Sequence, residues 1–404
     1  MIGYTEILAY KPDVIVAGAG FSGLVAARIF AENGCRVLVL EKRTHLGGNA
    51  YDEKDAETGL TIHRYGPHIF HTNNREVFEF LSRFTDWNGY EHKVLANVHG
   101  ALLPVPFNLD SLRLAFPEEE AKALEHKLLL RYGENTSVSI LDLLKTDEGD
   151  LRALGDYIYR SIFETYTVKQ WGKKPEDIDP ATTARVPIRL SHDGRYFTDR
   201  YQGLPADGYT ALLTRMATHE NIKLLTQTDA LDVVRLSEED KKLYIGETPF
   251  EGVFVYTGVP DVLLGCRYGA LPYRSLDLAF ETHDAPYFQP CGTVNYTVDM
   301  PYTRITEFKH MTLEHAPRTI ILKEYAKACD FANGDIPYYP VASPESAAVY
   351  ARYAASLAAY KNLVLVGRLA EYRYYNMDAA AARAMAAANA HCIPRMPVYN
   401  LKKD

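Results

Sequence analysis

The stretch Asp13-Val14-Ile15-Val16-Ala17-Gly18-Ala19-Gly20-Phe21-Ser22-Gly23 constrains this chain more than any other. Its apolar run reads as a short buried strand of a parallel sheet. Gly18, Gly20 and Gly23 form a G-x-G-x-x-G turn. Leu24 to Asn33 then carries helical periodicity, closed by Gly34 at a C′ position. Val37-Leu38-Val39-Leu40 is a second strand, ending at Glu41, 18 residues past Gly23. This order is the βαβ unit of a dinucleotide-binding fold. Gly18 permits the tight turn, Gly20 lets backbone N–H groups approach a pyrophosphate, and Gly23 lets the helix pack on the strand. A carboxylate at Glu41 suits a ribose diol and disfavours a 2′-phosphate.

At 404 residues the chain has room for about two to three domains. It carries 44 Lys and Arg against 52 Asp and Glu, a net charge of −8, which argues against nucleic-acid or anionic-membrane binding. No apolar window of membrane-spanning length occurs, and the N-terminal residues lack the apolar segment of a secretory signal. Five scattered cysteines without a Cys-x-x-Cys pair suggest neither a disulfide framework nor a zinc site. A cytoplasmic protein without membrane insertion is expected.

Later segments suggest how the fold is completed. Phe254-Val255-Tyr256-Thr257-Gly258 and Leu363-Val364-Leu365-Val366-Gly367 read as late returns to the first sheet. Glu118 to Tyr132, Leu151 to Tyr166 and Met377 to His391 read as helices. Alternation in 185–209 and 268–325 suggests antiparallel strands, including Phe280-Glu281-Thr282 and Thr293 to Val298. The expected fold is α/β: a Rossmann-like dinucleotide-binding domain, assigned to FAD below, with an inserted helical domain and an antiparallel β-sheet domain. The expected boundaries are 1–100, 205–265 and 335–404 for this discontinuous dinucleotide-binding domain. The helical domain takes 101–184, with a mobile-loop candidate, and the sheet domain takes 185–204 and 266–334. Lid candidates are the loop around Trp171-Gly172-Lys173-Lys174 and the segment Arg189 to Arg195.

FAD is favoured over NAD because a second glycine pair, Gly47-Gly48, closely follows Glu41. Its backbone can approach the pyrophosphate and ribityl chain without a Cβ clash. Val366-Gly367-Arg368 suits a second approach to the flavin. In Tyr65-Gly66-Pro67-His68-Ile69-Phe70-His71 the two histidines lack neighbouring acidic or thiol ligands, so no metal is expected. A flavin-facing role for His71 is the preferred reading.

Seven ordered blocks then carry a resemblance. They are Gly66-Pro67-His68-Ile69-Phe70-His71, Tyr166 to Gly172 (YTVKQWG), Arg185-Val186-Pro187-Ile188-Arg189, Tyr196 to Gly203 (YFTDRYQG), Pro301-Tyr302-Thr303-Arg304, Lys323-Glu324-Tyr325, and Gly367 to Tyr372 (GRLAEY). With them the chain resembles the prokaryotic UDP-galactopyranose mutase family over nearly its full length. The resemblance implies a redox-neutral isomerisation of UDP-galactopyranose (UDP-galactose) to UDP-galactofuranose, with N5 of reduced FAD as nucleophile on the anomeric carbon. NAD(P)H or another external reductant would supply electrons, and a homodimer is implied. Arg185 and Arg304 match the diphosphate-binding pair. Tyr196, Tyr325 and Tyr374 match phosphate-binding phenols, and Tyr166 and Trp171 match the uridine site. Asn295 and Asn376 complete the expected substrate contacts, and His71 the catalytic set. Cofactor contacts are expected from Gly18, Gly20, Phe21, Ser22, Gly23, Glu41, Lys42, Gly48, Asn49, His68, Ile69, Gly367, Arg368, Asn376 and Met377. Paired arginines and phenols suit a diphosphate, because guanidinium forks bind phosphate oxygens and phenols donate without adding net charge.

One departure is Asn376, where many members of the family carry an acidic residue. It keeps open the same chemistry on another nucleotide sugar, N-acetylated or 6-deoxy. Two further alternatives are an FAD-dependent oxidase of the amine-oxidase kind and a binding protein that kept the fold without flavin chemistry.

Overall fold

The computed structural model describes residues 4–172, 186–298 and 300–392. Five parallel strands form the first sheet, in the order Ile222–Leu225, Val37–Leu40, Val14–Ala17, Val253–Tyr256, Leu363–Leu365. Numbered along the chain this order is 3-2-1-4-5, the doubly wound arrangement. Alternation along these strands assigns their two faces. Val14, Val16, Val37 and Val39 enter the core under helices Phe21–Glu32, Tyr209–Ala217 and Met377–His391. Ile15, Ala17, Leu38 and Leu40 enter the opposite core, with Tyr353 and Leu357 of helix Pro344–Leu357. Both faces are covered, so the strands read as unbroken apolar runs.

A seven-stranded sheet forms the second body, in the order Tyr339–Pro340, Tyr273–His283, Thr319–Ala328, Arg304–Glu307, Thr293–Tyr296, Val94–Val98, Ala101–Val105. It is antiparallel except where Thr293–Tyr296 runs parallel to Val94–Val98. A third core gathers helices Leu109–Ala115, Glu118–Tyr132, Ile140–Leu144 and Gly149–Ile158. The last of these continues through a π-helical stretch, Tyr159–Glu164, into helix Thr165–Trp171. The helix expected over Leu151 to Tyr166 is therefore one rod with an irregular middle.

Two expectations need correction. Residues 186–204 do not join the antiparallel sheet. Ile188–Arg189 pairs with Ser137–Val138 beside the helices, and Tyr201–Gly203 pairs with Phe70–Thr72. Between them the carbonyls of Arg195 and Tyr196 accept from the Arg189 guanidinium, so a side chain replaces ladder bonds there. The expected boundary at residue 100 falls inside a hairpin, because Val94–Val98 and Ala101–Val105 both belong to the large sheet. Tyr339–Pro340 also pairs on that sheet's edge. Local apolar pattern marks a strand but not the sheet that accepts it.

Candidate active site

Three of the five parallel strands run into glycine at their C-terminal ends, at Gly18, Gly258 and Gly367. Gly18 has φ +102°, and a Cβ on Gly23 would lie 2.0 Å from the Gly18 carbonyl oxygen. The second glycine pair packs directly on this loop. The Gly47 amide donates to the Ala19 carbonyl at 2.8 Å, and a Cβ on Gly48 would sit 2.9 Å from Gly20 Cα. Gly367, with φ +105°, approaches Ser22, whose Oγ lies 3.3 Å from where a Cβ would be. Helix Phe21–Glu32 begins after Gly20 with no side-chain cap, so its first amides remain available to an anion.

Glu41 is buried, with Oε2 accepting from the Ala19 amide (2.8 Å) and Oε1 from the Arg43 amide (2.9 Å). The carboxylate keeps further lone pairs for a diol. Lys42 is exposed. Arg43, absent from the expected set, donates to Asn49 Oδ1 at 2.8 Å and lies 4.4 Å over the Tyr65 ring. Its Nη1 is buried without a partner, an orphaned donor beside the glycine pair that an anionic cofactor would satisfy. These residues fit FAD. Gly18, Gly20, Phe21, Ser22 and Gly23 would receive the pyrophosphate, Glu41 the ribose, and Gly48 and Asn49 the adjoining chain.

Beyond Gly367, Arg368 donates through Nε and Nη2 to the Tyr375 carbonyl (3.2 and 2.9 Å) and lies 5.3 Å from the Tyr374 ring. Glu371 braces this turn: it accepts from the Gly367 amide (3.1 Å), the Tyr375 hydroxyl (2.6 Å) and Arg383. Asn376 is the N-cap of helix Met377–His391, and Met377 packs on the first core. His68 Nδ1 lies 2.9 Å from the Gly66 carbonyl, and Ile69 is partly buried against the same core. His71 stacks on Phe197 at 3.6 Å, and its Nδ1 lies 3.0 Å from Asp199 Oδ2. A carboxylate accepts, so Nδ1 carries the proton and Nε2 remains for another partner.

The cleft over the large sheet is organised by one row of cross-strand partners, Asn295, Arg304 and Glu324. Arg304 Nε donates to Glu324 Oε1 at 2.6 Å, and Glu324 is buried. Burial opposes the Arg304 charge, but Glu324 outweighs it and keeps the guanidinium protonated. Both Nη groups remain for an anionic ligand. Tyr166, Tyr339 and Glu324 lie close enough to act on Arg304, and Tyr196 acts on Tyr166. Tyr339 and Tyr374 rings stand 5.6 Å apart. Burial raises the pKa of Tyr166 and Tyr339, so both stay hydrogen-bond donors. Trp171 ends the helix that begins at Thr165.

Tyr325 is not part of this group. It follows Glu324 on a strand, so it faces the opposite side of the sheet, where its ring lies 6.0 Å from Tyr302. Tyr339, absent from the expected set, is the phenol that stands beside Tyr374. The tandem Tyr338-Tyr339 before Pro340 was the available signal, but only the sheet edge reveals its direction. Arg185 lies outside the described residues, as do Lys173 and Lys174. Among the described residues no cluster of His, Cys, Asp and Glu could hold a metal.

Two further histidines have a measurable consequence. Burial lowers the pKa of His63 to about 4 and of His92 to about 3. Both are neutral when folded and regain an ordinary pKa near 6.5 when unfolded, so the unfolded chain takes up protons first. Stability is therefore full above about pH 6.5 and falls by roughly 1.4 kcal/mol per histidine for each pH unit below it, until the folded pKa is reached. Melting temperature measured from pH 7.5 to 4.5 should fall over this window. His92→Gln should flatten the slope, and an unchanged slope would contradict the assignment.

Fold and site together define a flavin-binding α/β enzyme whose second cleft pairs arginine with phenols. The family profile described as UDP-galactopyranose mutase matches residues 161–374, and a profile for an NAD(P)-binding Rossmann-like domain matches residues 16–84. A probable UDP-galactopyranose mutase of Klebsiella pneumoniae is 36% identical, covering 93% of this chain and 94% of its own. A dTDP-fucopyranose mutase of Escherichia coli is 35% identical over 90% of this chain and 94% of its own. A crystal structure of reduced UDP-galactopyranose mutase superposes with TM-score 0.69 at 16% identity, covering 94% of this chain and 93% of that one. The chain belongs to the UDP-galactopyranose mutase family and is an FAD-dependent isomerase. A putative protoporphyrinogen oxidase from Exiguobacterium shares the fold at TM-score 0.59 and 15% identity, covering 93% of this chain and 98% of its own. That likeness concerns the fold alone.

Proposed function

We propose that this enzyme interconverts UDP-galactopyranose and UDP-galactofuranose in the cleft between the Gly367 turn and the large sheet. The observation that carries this reading is Arg304, aimed by the buried Glu324 into a group containing Tyr166, Tyr339 and Tyr374. Reduced FAD, when bound, supplies the nucleophile at N5 for the anomeric carbon. Every other requirement falls to the chain. Arg304, with Arg185, binds the diphosphate and offsets the charge that develops as UDP departs. Tyr196, Tyr339 and Tyr374 donate to phosphate oxygens. Tyr166 and Trp171 cover the uracil, and Asn295 and Asn376 contact the sugar. His71, held by Asp199, orients a ring nitrogen toward the flavin. A cytoplasmic homodimer reduced by NAD(P)H or a similar donor follows from family resemblance.

A second substrate is favoured by two observations. The dTDP-fucopyranose mutase is nearly as similar as the UDP-galactopyranose mutases, and this chain has Asn376 at the position where the family resemblance implies an acidic residue in many members. Asn376 hydrogen-bonds a hydroxyl but cannot act as a base, so a 6-deoxy sugar on dTDP is the competing reading.

The test is chromatography of dithionite-reduced enzyme incubated with UDP-galactofuranose and, separately, dTDP-fucofuranose. Conversion of the first at the higher kcat/KM is expected, and conversion of the second alone would reassign the substrate. Tyr339→Phe should raise KM by about tenfold, the worth of one hydrogen bond to a charged oxygen. Tyr325→Phe should leave KM nearly unchanged. Equal effects of the two would contradict the face assignment.

A further inference from the structure

Helix Thr165–Trp171 carries Tyr166 and Trp171, yet its own connection to the helical core is irregular. Tyr159–Glu164 is π-helical, so the regular ladder that would fix the direction of the next turn is interrupted just before it. Beside its packing on strand Thr319–Ala328, a pair of cationic side chains ties the helix to the large sheet.

Lys169 projects from the last turn of the helix into the connection between strands Thr293–Tyr296 and Arg304–Glu307. Its ammonium lies within hydrogen-bond distance of four backbone carbonyls: Tyr296 (2.5 Å), Val298 (3.0 Å), Met300 (3.1 Å) and Tyr302 (3.1 Å). These belong to alternate residues, so every second carbonyl turns toward one point. An ammonium has three protons and no lone pair, which suits a concave set of oxygens. The strands joined by this connection carry Asn295 and Arg304. From strand Tyr273–His283, separated from Arg304–Glu307 by Thr319–Ala328, Arg274 donates to the carbonyls of Gln170 (3.0 Å) and Lys169 (3.2 Å), the last turn of the same helix. A cation there also complements the negative end of the helix. Gly172, at φ +64°, ends the helix so closely over Arg274 that a Cβ would stand 3.0 Å from its Nη1.

We infer that Lys169 is a positioning residue that latches the nucleoside-binding helix onto the connection leading to Arg304, and so fixes the separation between base and diphosphate contacts. The inference rests on the proposed nucleotide-sugar reading of Tyr166, Trp171 and Arg304. Lys169 touches neither substrate nor cofactor in it. Its contribution is registry: two parts of one ligand must be held by elements from different cores, and a single ammonium ties those elements together. Loss of the latch weakens nucleotide binding first, because the reacting sugar and flavin are held by other residues.

The decisive variant is Lys169→Met, which keeps the aliphatic stem and removes the charge and donors. In the FAD-loaded full chain, calorimetric titration with UDP should show affinity about 10- to 30-fold weaker than wild type, the scale of hydrogen bonds to a charged group. KM should rise by a similar factor while kcat changes less than about threefold. Lys169→Arg, which keeps charge and donors, should recover most of the loss. UDP binding to Lys169→Met within twofold of wild type would overturn the latch. So would equal falls in kcat and kcat/KM without recovery by Lys169→Arg. A wild-type enzyme that binds no UDP would instead overturn the functional reading itself. Hydrogen exchange of the wild type provides a measurement independent of folding in the variants. UDP should slow exchange in 165–171 and 294–306 together, and protection of only one segment would overturn the coupling.

Discussion

Arg304→Ala should lower turnover of the dithionite-reduced enzyme by about 10²- to 10³-fold, the range observed when one preorganised group facing developing charge is removed. The fall should appear in kcat as well as kcat/KM, because the charge on the departing diphosphate grows in the transition state. Arg304→Lys should recover little. The Nε donor to Glu324 and the free Nη groups belong to one planar fork that points donors in two directions at once, whereas an ammonium is a compact point charge that cannot span the same separation. Arg304→Ala also leaves Glu324 buried and uncompensated, which costs about 3–5 kcal/mol in a closed environment. The double variant Arg304→Ala with Glu324→Gln separates the two effects: melting temperature should return toward wild type while activity stays low. Near-normal turnover of Arg304→Ala, or recovery of activity in the double variant, would remove Arg304 from the diphosphate site.

Gly23→Ala should abolish flavin retention. A Cβ at that position would lie 2.0 Å from the Gly18 carbonyl oxygen and 3.3 Å from Val16 Cγ1. The first neighbour is backbone in a glycine turn and the second is a fully buried strand residue, so neither can rotate aside. The helix must move off the first strand, and overpacking of this kind costs on the order of 1–3 kcal/mol or more. The same movement carries the helix N-terminus away from the pyrophosphate position. The purified variant should be colourless, with a lower melting temperature. Gly34→Ala, with nothing within 4 Å of its Cβ, controls for conformational strain alone because its φ is +81°. A yellow Gly23→Ala protein would show that the close approach is not required.

The nucleotide-binding end was legible because its determinants are local. Strand, turn, helix and second strand are consecutive, and the glycines are demanded by backbone contacts within that unit or with Gly47 and Gly48 nearby. Helices Glu118–Tyr132 and Met377–His391 were likewise readable from periodicity and fall where it places them. The substrate cleft was legible only in part. Arg304 and Glu324 sit in recognisable blocks, but their pairing depends on register between two strands, and Tyr325, one residue past Glu324, stands on the opposite face from it for the same reason. Tyr339 escaped notice because Arg304 and Tyr374 reach it from distant segments, and Arg43 and Glu371 because their partners, though near in sequence, are brought to them by irregular turns with no periodic signature. Residues 186–204 looked like sheet but spend their backbone groups on short pairings elsewhere and on the Arg189 guanidinium.

The amino-acid sequence alone determined the dinucleotide turn, the flavin preference and the family, since all three depend on residue types at short or ordered spacing. Tertiary structure decided which aromatic groups meet Arg304, that Glu324 aims it, and that Lys169 ties one binding element to another. The physical reason is that a side chain's direction on a strand, and its distance from a partner more than a hundred residues away, are set by sheet register and packing, which no local pattern encodes.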